Sequence, residues 1–376
     1  VCKESFLTTS DVIDFVTNDF LGFARSPTIY CEVSKRFQIH CQQFPHEKLG
    51  IRGSRLMVGP SSVIDDLESK IASYHGAPNA FIVNSGYMAN LGLCHHVSRS
   101  TDVLLWDEEV HMSVVHSLSA ISGQHHTFHH NNLEHLESLL QCYRISSKGR
   151  IFIFVSSVYS FRGTLAPLEQ IIALSKKYHA HLIVDEAHAM GIFGDDGKGL
   201  CHALGYENFY AVLVTYGKAL GTMGASLLTS SEVKYDLMQN SPPLRYSTSL
   251  SPHTLISIGT AYDFLASEGE IARKQVFKLK EHFHECFDSH APGCVQPIFL
   301  PHTCLEEAIS VLETTGIHVG VVAFAKHPFL RVNLHAYNTV DEVNLLAQVM
   351  KPYLEKSSHR VHINHEFHLW RELCQH

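Results

Sequence analysis

Short runs with strand character alternate with amphipathic helical patterns from about residue 50 to residue 230, and this alternation restricts the possible folds most strongly. Strands are predicted at 80–84, 102–106, 125–129, 151–156, 181–185, 209–215 and 224–229. Helices are predicted at 62–75, 86–98, 111–122, 132–143 and 167–178. This spacing predicts the α/β class with a large, mostly parallel sheet, and active groups in such sheets gather at the carboxyl ends of strands.

The sequence changes character on both sides of the alternating region. We predict an N-terminal segment at 1–49, a large domain at 50–250, and a smaller α/β domain with a His-rich tail at 251–376. A long helical stretch is predicted at 252–288, a pattern that often connects domains. Strands near 317–323 and 329–334 and a helix near 340–354 follow it.

Composition argues against several classes of protein. Of the 376 residues, 45% are hydrophobic and 18% are charged, which is typical of a globular chain. The net charge of −8 and the lack of a Lys or Arg stripe argue against a nucleic-acid partner. The sequence contains no run of about 18 apolar residues, so we predict no membrane-spanning helix. Ten cysteines without a C-x-x-C motif indicate reduced thiols and a cytoplasmic location.

The tail carries four histidines at a spacing of three: His359, His362, His365 and His368. A zinc site needs ligands that converge, and usually thiolate or carboxylate help. A spacing of three fits neither a strand face nor four ligands around one ion. We therefore predict no metal site and attribute the 29 histidines to composition.

Two predicted strand ends carry the most specific chemistry. One apolar run ends in Asp185, with His188 three residues later, and the next leads through Thr215 to Lys218. A buried carboxylate needs a paired charge or hydrogen bonds, and a protonated pyridine nitrogen supplies both, although local N–H groups would also serve. A lysine among small residues can form an imine with an aldehyde, although a surface lysine at a helix start has the same pattern. Together they indicate pyridoxal phosphate as cofactor.

Other strand ends carry candidate cofactor contacts. Ser85, Gly86 and Tyr87 open a helix whose N–H groups favour a phosphate, although ordinary capping gives the same pattern. His111 opens the next helix and could stack on an aromatic ring, or it is simply a helix-terminal histidine. Ser160 could bond a phenolic oxygen, or it marks a plain turn.

Three further positions offer groups for anions. Ser247 and Thr248 carry hydroxyls suited to a phosphate, as does Thr215. Arg331 lies on an apolar predicted strand, where its charge needs a partner. That partner is either a substrate carboxylate held by two hydrogen bonds or an internal salt bridge.

Taken in order, these pieces resemble the α-oxoamine synthases, a family of fold-type I pyridoxal phosphate enzymes. The likeness covers roughly residues 12–355 and rests on eight ordered stretches. They are 18–22, 53–56, 84–90, His111, 184–188, 215–221, 246–249 and 330–334. One departure is Arg52, which stands where the family usually has a glycine before Ser54.

The resemblance implies a role for each candidate and a homodimer with shared active sites. Lys218 would bind the cofactor covalently, Asp185 would pair with the pyridine nitrogen, and His111 would stack on the ring. The remaining implied contacts are His188 and Ser160 at the phenolic oxygen; Ser85, Gly86, Tyr87 and Thr215 at the phosphate; Ser247 and Thr248 at the neighbouring subunit's phosphate; and Asn18 and Arg331 at the amino-acid carboxylate.

The resemblance also implies a reaction between an amino acid and an acyl thioester, of coenzyme A or an acyl carrier protein, with loss of carbon dioxide. The stretch Gly221–Ser226 looks more like the 8-amino-7-oxononanoate synthases of biotin synthesis than like the glycine-using ligases. This favours L-alanine and a pimeloyl thioester. The alternatives are a 2-amino-3-oxobutyrate ligase, a sphingoid-base or autoinducer synthase, an aminotransferase of the same fold, or a non-catalytic subunit.

Overall fold

A computed structural model describes residues 12–59, 61–97, 99–118, 121–322 and 328–355. The strands are β1 Ile13–Phe15, β2 Asn79–Val83, β3 Val103–Asp107, β4 Gln124–Phe128, β5 Ile151–Ser156, β6 His181–Asp185, β7 Ala211–Thr215, β8 Ala225–Thr229, β9 Val295–Phe299, β10 Ile317–Val322 and β11 Phe329–Asn333. The four histidines of the tail lie outside the described residues.

The helices surround and connect these strands. They are α1 Pro27–Gln43, α2 Arg55–Val58, α3 Ser62–His75, α4 Gly86–His96, α5 Met112–Ser117, α6 Leu133–Ser146, α7 Leu168–Tyr178, α8 Cys201–Leu204, α9 Ser231–Asn240, α10 Pro242–Arg245, α11 Pro252–Ser267, α12 Gly269–Cys286, α13 His302–Thr314 and α14 Val340–Glu355. The described part of α5 ends earlier than the predicted 111–122.

The large sheet has the strand order β2-β8-β7-β6-β5-β3-β4. Only β8 runs antiparallel to its neighbours, β2 and β7. The predicted mostly parallel sheet is therefore confirmed, and the carboxyl ends of β2, β3, β5, β6 and β7 share one edge. This edge is where polar side chains from distant parts of the chain can meet.

The central strands form because their sequences are continuously apolar. All six residues of β5, Ile-Phe-Ile-Phe-Val-Ser, are buried, as expected for a parallel strand covered by helices on both faces. The edge strand β4, Gln-His-His-Thr-Phe, is exposed except at Phe128. Apolar side chains on the two faces of the sheet form two separate core clusters with the flanking helices.

The smaller sheet has the order β1-β10-β11-β9. Its first strand, β1, comes from the N-terminal segment and pairs in parallel with β10, with Ile13 opposite Ile317. Asn18 follows β1, and Arg331 lies in the middle of β11 opposite Gly320 of β10. The domain boundaries at 49 and 250 stay a prediction.

The predicted single helix at 252–288 is wrong, because the chain breaks between α11 and α12 at Glu268. Glu268 has φ −118° and ψ −14° and ends the first helix with a bond from its N–H to the Phe264 carbonyl. Gly269 begins the second helix under close packing: a Cβ there would lie 2.8 Å from Leu265 Cδ1. A glycine therefore allows the two helices to meet at this angle.

No helix within the described ranges is both long enough and apolar enough to cross a membrane.

Candidate active site

A cavity of about 290 Å³ lies at the edge of the large sheet where β2, β3, β5, β6 and β7 end. Most of the predicted site residues line it: Asn18, Ser85, Gly86, Tyr87, His111, Ser160, Asp185, His188, Thr215 and Lys218. They come from the chain after β1 and from the ends of β2, β3, β5, β6 and β7. The strand topology therefore brings together residues that are up to 200 positions apart, since Asn18 and Lys218 share the cavity.

Asp185 ends β6 and is only 6% exposed. Its Oδ1 accepts a hydrogen bond from the Ala187 N–H at 2.9 Å, and its Oδ2 accepts one from Asn90 Nδ2 at 3.1 Å. Both oxygens therefore have one donor, which fixes the plane of the carboxylate. An ionised carboxylate held in this way can also accept a hydrogen bond from a protonated ring nitrogen.

His111 caps the N-terminus of α5 with its own side chain. The Ser113 N–H donates to His111 Nδ1 at 3.2 Å, and Ser113 Oγ lies 2.8 Å from the same nitrogen. The imidazole is exposed toward the cavity, yet desolvation by the surrounding walls lowers its pKa, against the opposing charge of Asp185. A neutral ring at the cavity surface is suited to stacking on a flat cofactor.

Lys218 lies in the turn between β7 and β8 and not at a helix start. Burial lowers the pKa of its amine; the charge of Asp185 opposes that shift, and Arg331 adds to it. A larger share of neutral amine makes Lys218 a better nucleophile and base. Burial likewise lowers the pKa of His188 well below its ordinary value, so that imidazole is neutral.

One end of the cavity is formed by α4 and the end of β7. Ser85 caps the helix by accepting from the Met88 N–H at 3.2 Å. A Cβ at Gly86 would lie 2.7 Å from Thr215 Cγ2, so glycine lets the helix N-terminus reach the strand. Thr215 Oγ1 is buried and has no hydrogen-bond partner within the described ranges. An oxyanion at this helix N-terminus would supply one.

Arg331 stands beside the cavity and contacts two of its lining residues. Its Nε donates to the Ser160 carbonyl at 2.6 Å, and its Nη2 donates to Asn18 Oδ1 at 3.3 Å. Burial lowers its pKa to about 10. No carboxylate lies within ion-pair distance of Arg331 in the part of the chain that the structure describes, so the predicted alternative of an internal salt bridge is not seen there.

Ser247 and Thr248 lie apart from the cavity of their own chain. Ser247 Oγ donates to the Pro243 carbonyl at 2.5 Å, and the Thr248 carbonyl accepts from Asn84 Nδ2 at 2.7 Å. Thr248 also forms an isolated antiparallel bridge with Ser54. Their role toward a neighbouring subunit stays a prediction.

Seven of the described residues that line the cavity were not predicted as site residues, and Asn90 and Met223 are two of them. Asn90 lines it from one helical turn after Gly86, a spacing that places both on one face of α4. Met223 is 59% exposed and lines it from the loop after Lys218. Helical periodicity was the signal available for Asn90, and the family resemblance of the stretch 221–226 was the signal available for Met223.

The residues of the cavity fit pyridoxal phosphate. Besides Thr215 Oγ1, the buried His188 Nδ1 has no hydrogen-bond partner within the described ranges. The Asp185 carboxylate, the Lys218 amine of lowered pKa and the N-terminus of α4 all border the same cavity. Over the part of the chain that is described, no group of three or more His, Cys, Asp or Glu side chains is arranged to hold a metal ion.

Comparison with known proteins supports the family resemblance of the sequence motifs. The family model "Aminotransferase class I and II" matches residues 10–350. An 8-amino-7-oxononanoate synthase of Emericella nidulans is 31% identical over 95% of this chain and 93% of its own length.

Two solved structures have a similar fold. A serine palmitoyltransferase of S. paucimobilis with bound PLP and myriocin has a TM-score of 0.81 at 22% identity, covering 91% of this chain and 87% of its own. An 8-amino-7-oxononanoate synthase of Francisella tularensis has a TM-score of 0.77 at 22% identity, covering 92% and 98%.

Proposed function

The chain belongs to the class I and II aminotransferase family and, within it, to the pyridoxal phosphate-dependent α-oxoamine synthases, and from this premise we propose that it condenses L-alanine with a pimeloyl thioester. The products are 8-amino-7-oxononanoate, carbon dioxide and the free thiol of coenzyme A or of an acyl carrier protein. The observation that carries the proposal is the meeting of Lys218 and Asp185 in one cavity of a chain that matches such a synthase over 93% of that relative's length.

The cofactor supplies an electron sink for the charge that develops on the α-carbon of the amino acid. Asp185 is the residue to pair with its ring nitrogen, and His111 is the residue to cover its ring. Gly86, Tyr87 and the Thr215 hydroxyl are suited to its phosphate, with Ser85 holding the helix end by its cap. Ser247 and Thr248 of a second copy would complete this phosphate site in a homodimer.

Lys218 is proposed to hold the cofactor covalently and then to carry the proton taken from the α-carbon. The proton moves to Nζ, which must be neutral to accept it. The lowered pKa of Lys218 supports this role, because a general base works best when its pKa is near the working pH. We propose that the neutral His188 and the Ser160 hydroxyl, which both line the cavity, donate hydrogen bonds to the cofactor's phenolic oxygen.

Arg331 and Asn18 are proposed to hold the carboxylate of the amino acid. Arg331 keeps Nη1 free of hydrogen bonds within the described ranges, while Nε and Nη2 are bonded. The guanidinium is thus oriented by the protein before a substrate arrives. A carboxylate bound by such a pre-oriented donor is positioned relative to Lys218 at little further entropic cost.

The experiment is a measurement of carbon dioxide release with alanine, glycine and serine, each combined with pimeloyl, acetyl and palmitoyl thioesters. We expect the alanine and pimeloyl pair to have the highest kcat/KM. A strong preference for glycine with a short acyl group, or for serine with palmitoyl, would replace this proposal by another member of the family. Turnover with an amino acid and a keto acid alone would identify an aminotransferase.

A spectrum tests the cofactor assignment separately. The purified protein with added pyridoxal phosphate should show a visible absorption band that Lys218→Ala abolishes. Lys177→Ala is the matched control, because that lysine is exposed and bonded to Glu137 away from the cavity. A colourless wild-type protein would contradict the enzyme proposal altogether.

A further inference from the structure

Asn90 is 1% exposed and is buried between Asp185 and Ser113, beside the proposed cofactor site. Its Nδ2 group donates both of its hydrogens, one to Asp185 Oδ2 at 3.1 Å and one to Ser113 Oγ at 2.9 Å. The orientation of the amide follows from these partners. Turning it over would place Oδ1 against the Asp185 carboxylate, where two acceptors face each other and the hydrogen bond is lost.

Ser113 passes this interaction on to His111. Because Ser113 Oγ accepts a hydrogen from Asn90, its own hydrogen is available for His111 Nδ1, 2.8 Å away. The Ser113 N–H also donates to Nδ1. Nδ1 is therefore an acceptor, and the proton of the neutral imidazole lies on Nε2. Asn90, which also contacts Asp185, therefore orients the Ser113 hydroxyl toward the same nitrogen that the Ser113 N–H already makes an acceptor.

We propose that Asn90 is a positioning residue of the cofactor site. It holds the Asp185 carboxylate and, through Ser113, the His111 ring in one hydrogen-bonded unit. The proposal rests on the cofactor roles assigned above and not on the identity of the substrates. Asn90 contacts neither reacting atom; it acts through Asp185 and through Ser113.

The arrangement has two chemical consequences. A donor on Oδ2 stabilises the ionised form of Asp185, the form that can pair with a protonated pyridine nitrogen. The Asn90–Asp185 bond also keeps the carboxylate from rotating about its Ala187 contact. Among the described residues, the charge of Asp185 acts on His111 and on Lys218 from neighbouring elements. Neither residue is itself substituted in an Asn90 variant, so a changed pH profile would report on the loss of the contacts that Asn90 makes.

The sharpest test is Asn90→Asp, which keeps the size of the side chain and replaces a donor by an acceptor. Two carboxyl groups about 3 Å apart cannot both ionise, so a proton would be shared between positions 90 and 185. We expect cofactor affinity to fall at least tenfold and the visible spectrum of the bound cofactor to titrate at a pH displaced by one unit or more. We expect kcat to fall at least tenfold while the KM for alanine changes less than threefold.

Asn79→Asp is the matched control, because Asn79 lies on β2 away from the cavity and donates to Ser231 Oγ at 2.9 Å. A wild-type protein that binds no cofactor would refute the proposed function. By contrast, a coloured wild type together with an Asn90→Asp variant of unchanged affinity and pH profile would overturn only the role of Asn90.

A second set of variants covers the case in which Asn90→Asp does not fold. Asn90→Ala removes both donations without adding charge and is read by the same affinity and pH profile, with the same outcome refuting the role. In combination with Ser113→Ala it forms a double-mutant cycle. Ser113→Ala should lower the cofactor affinity of the wild type. If Asn90 acts through Ser113, the fold-loss of affinity caused by Ser113→Ala should be at least threefold smaller in the Asn90→Ala background. Strict additivity would refute the coupling to His111.

Discussion

Replacing Gly86 by alanine tests whether the approach of α4 to β7 builds the phosphate end of the site. The added methyl carbon would lie 2.7 Å from Thr215 Cγ2. Carbon atoms pack best at about 3.5–4.0 Å, so the helix end or the strand end must move by about 0.8 Å. Overpacking of this kind costs about 1–3 kcal/mol.

The same displacement moves the N–H groups of the helix end away from the phosphate position. We expect Gly86→Ala to lower the free energy of unfolding in urea by about 1–2 kcal/mol, because a small gain in helix propensity offsets part of the clash. We expect pyridoxal phosphate to bind about tenfold more weakly, equivalent to about 1.4 kcal/mol.

Thr215→Ser supplies a matched rescue. Serine keeps Oγ1 but lacks the Cγ2 atom that clashes, and the other atoms near the new methyl group lie at 3.8 Å and 3.9 Å. The single change should cost about 0.8 kcal/mol for one buried methylene-sized group. The double variant Gly86→Ala/Thr215→Ser should recover most of the lost stability and affinity. If Gly86→Ala behaves as wild type, or if the serine gives no rescue, the steric reasoning is refuted.

Three further predictions follow from other contacts. Arg331→Lys keeps the charge but loses the bonds to Ser160 and Asn18 that orient the guanidinium, so steady-state kinetics should show the KM for alanine raised at least tenfold with cofactor affinity unchanged. An unchanged KM would exclude carboxylate binding there. Burial raises the pKa of Glu186 to about 7. The folded state thus holds this proton more tightly, and wild-type stability falls as pH rises from about 4 to 7. Glu186→Gln, which still accepts from the Leu200 and Cys201 N–H groups, should gain stability relative to wild type over that range, by a few kcal/mol at most, in urea titrations at stepped pH; a constant difference would contradict the shift. Arg52 has a φ of +70°, so Arg52→Gly should relieve about 1 kcal/mol of backbone strain and raise the melting temperature slightly. A lowered melting temperature would show that the arginine makes a stabilising contact.

The sequence predicts the strands of the large sheet to within about two residues because the central strands are mainly apolar runs, as in β5 and β6. Ten of the predicted site residues line the cavity, because most of them lie at or just after the end of such a run. The sequence does not predict β9, whose Val-Gln-Pro-Ile-Phe pattern contains a proline that ordinarily argues against a strand. It also misses the break at Glu268, because the run carries no proline there and Gly269 acts through its packing with Leu265.

The role of Asn90 illustrates a different limit. Its residue type and its position on α4 are visible in the sequence, but its partners come from β6 and from the start of α5. A side chain that bridges two other elements can be recognised only when their distance is known. The placement of Ser247 and Thr248 outside the cavity is of the same kind, since it depends on how α10 and the strand bridge to Ser54 turn the chain.

The pairing of β1 with β10 has a consequence for how the protein is made. Asn18 and Arg331, which meet in the folded protein, are 313 residues apart along the chain. A ribosome adding about 5–20 residues per second needs roughly 15–60 s to cover that distance. During that time β6 with Asp185 and the turn after β7 with Lys218 are synthesised, while β10, the partner of β1, has not yet been made. Most of the proposed cofactor pocket can therefore form during translation. The contact between Asn18 and Arg331, which we propose binds the substrate carboxylate, forms only when the smaller sheet is complete.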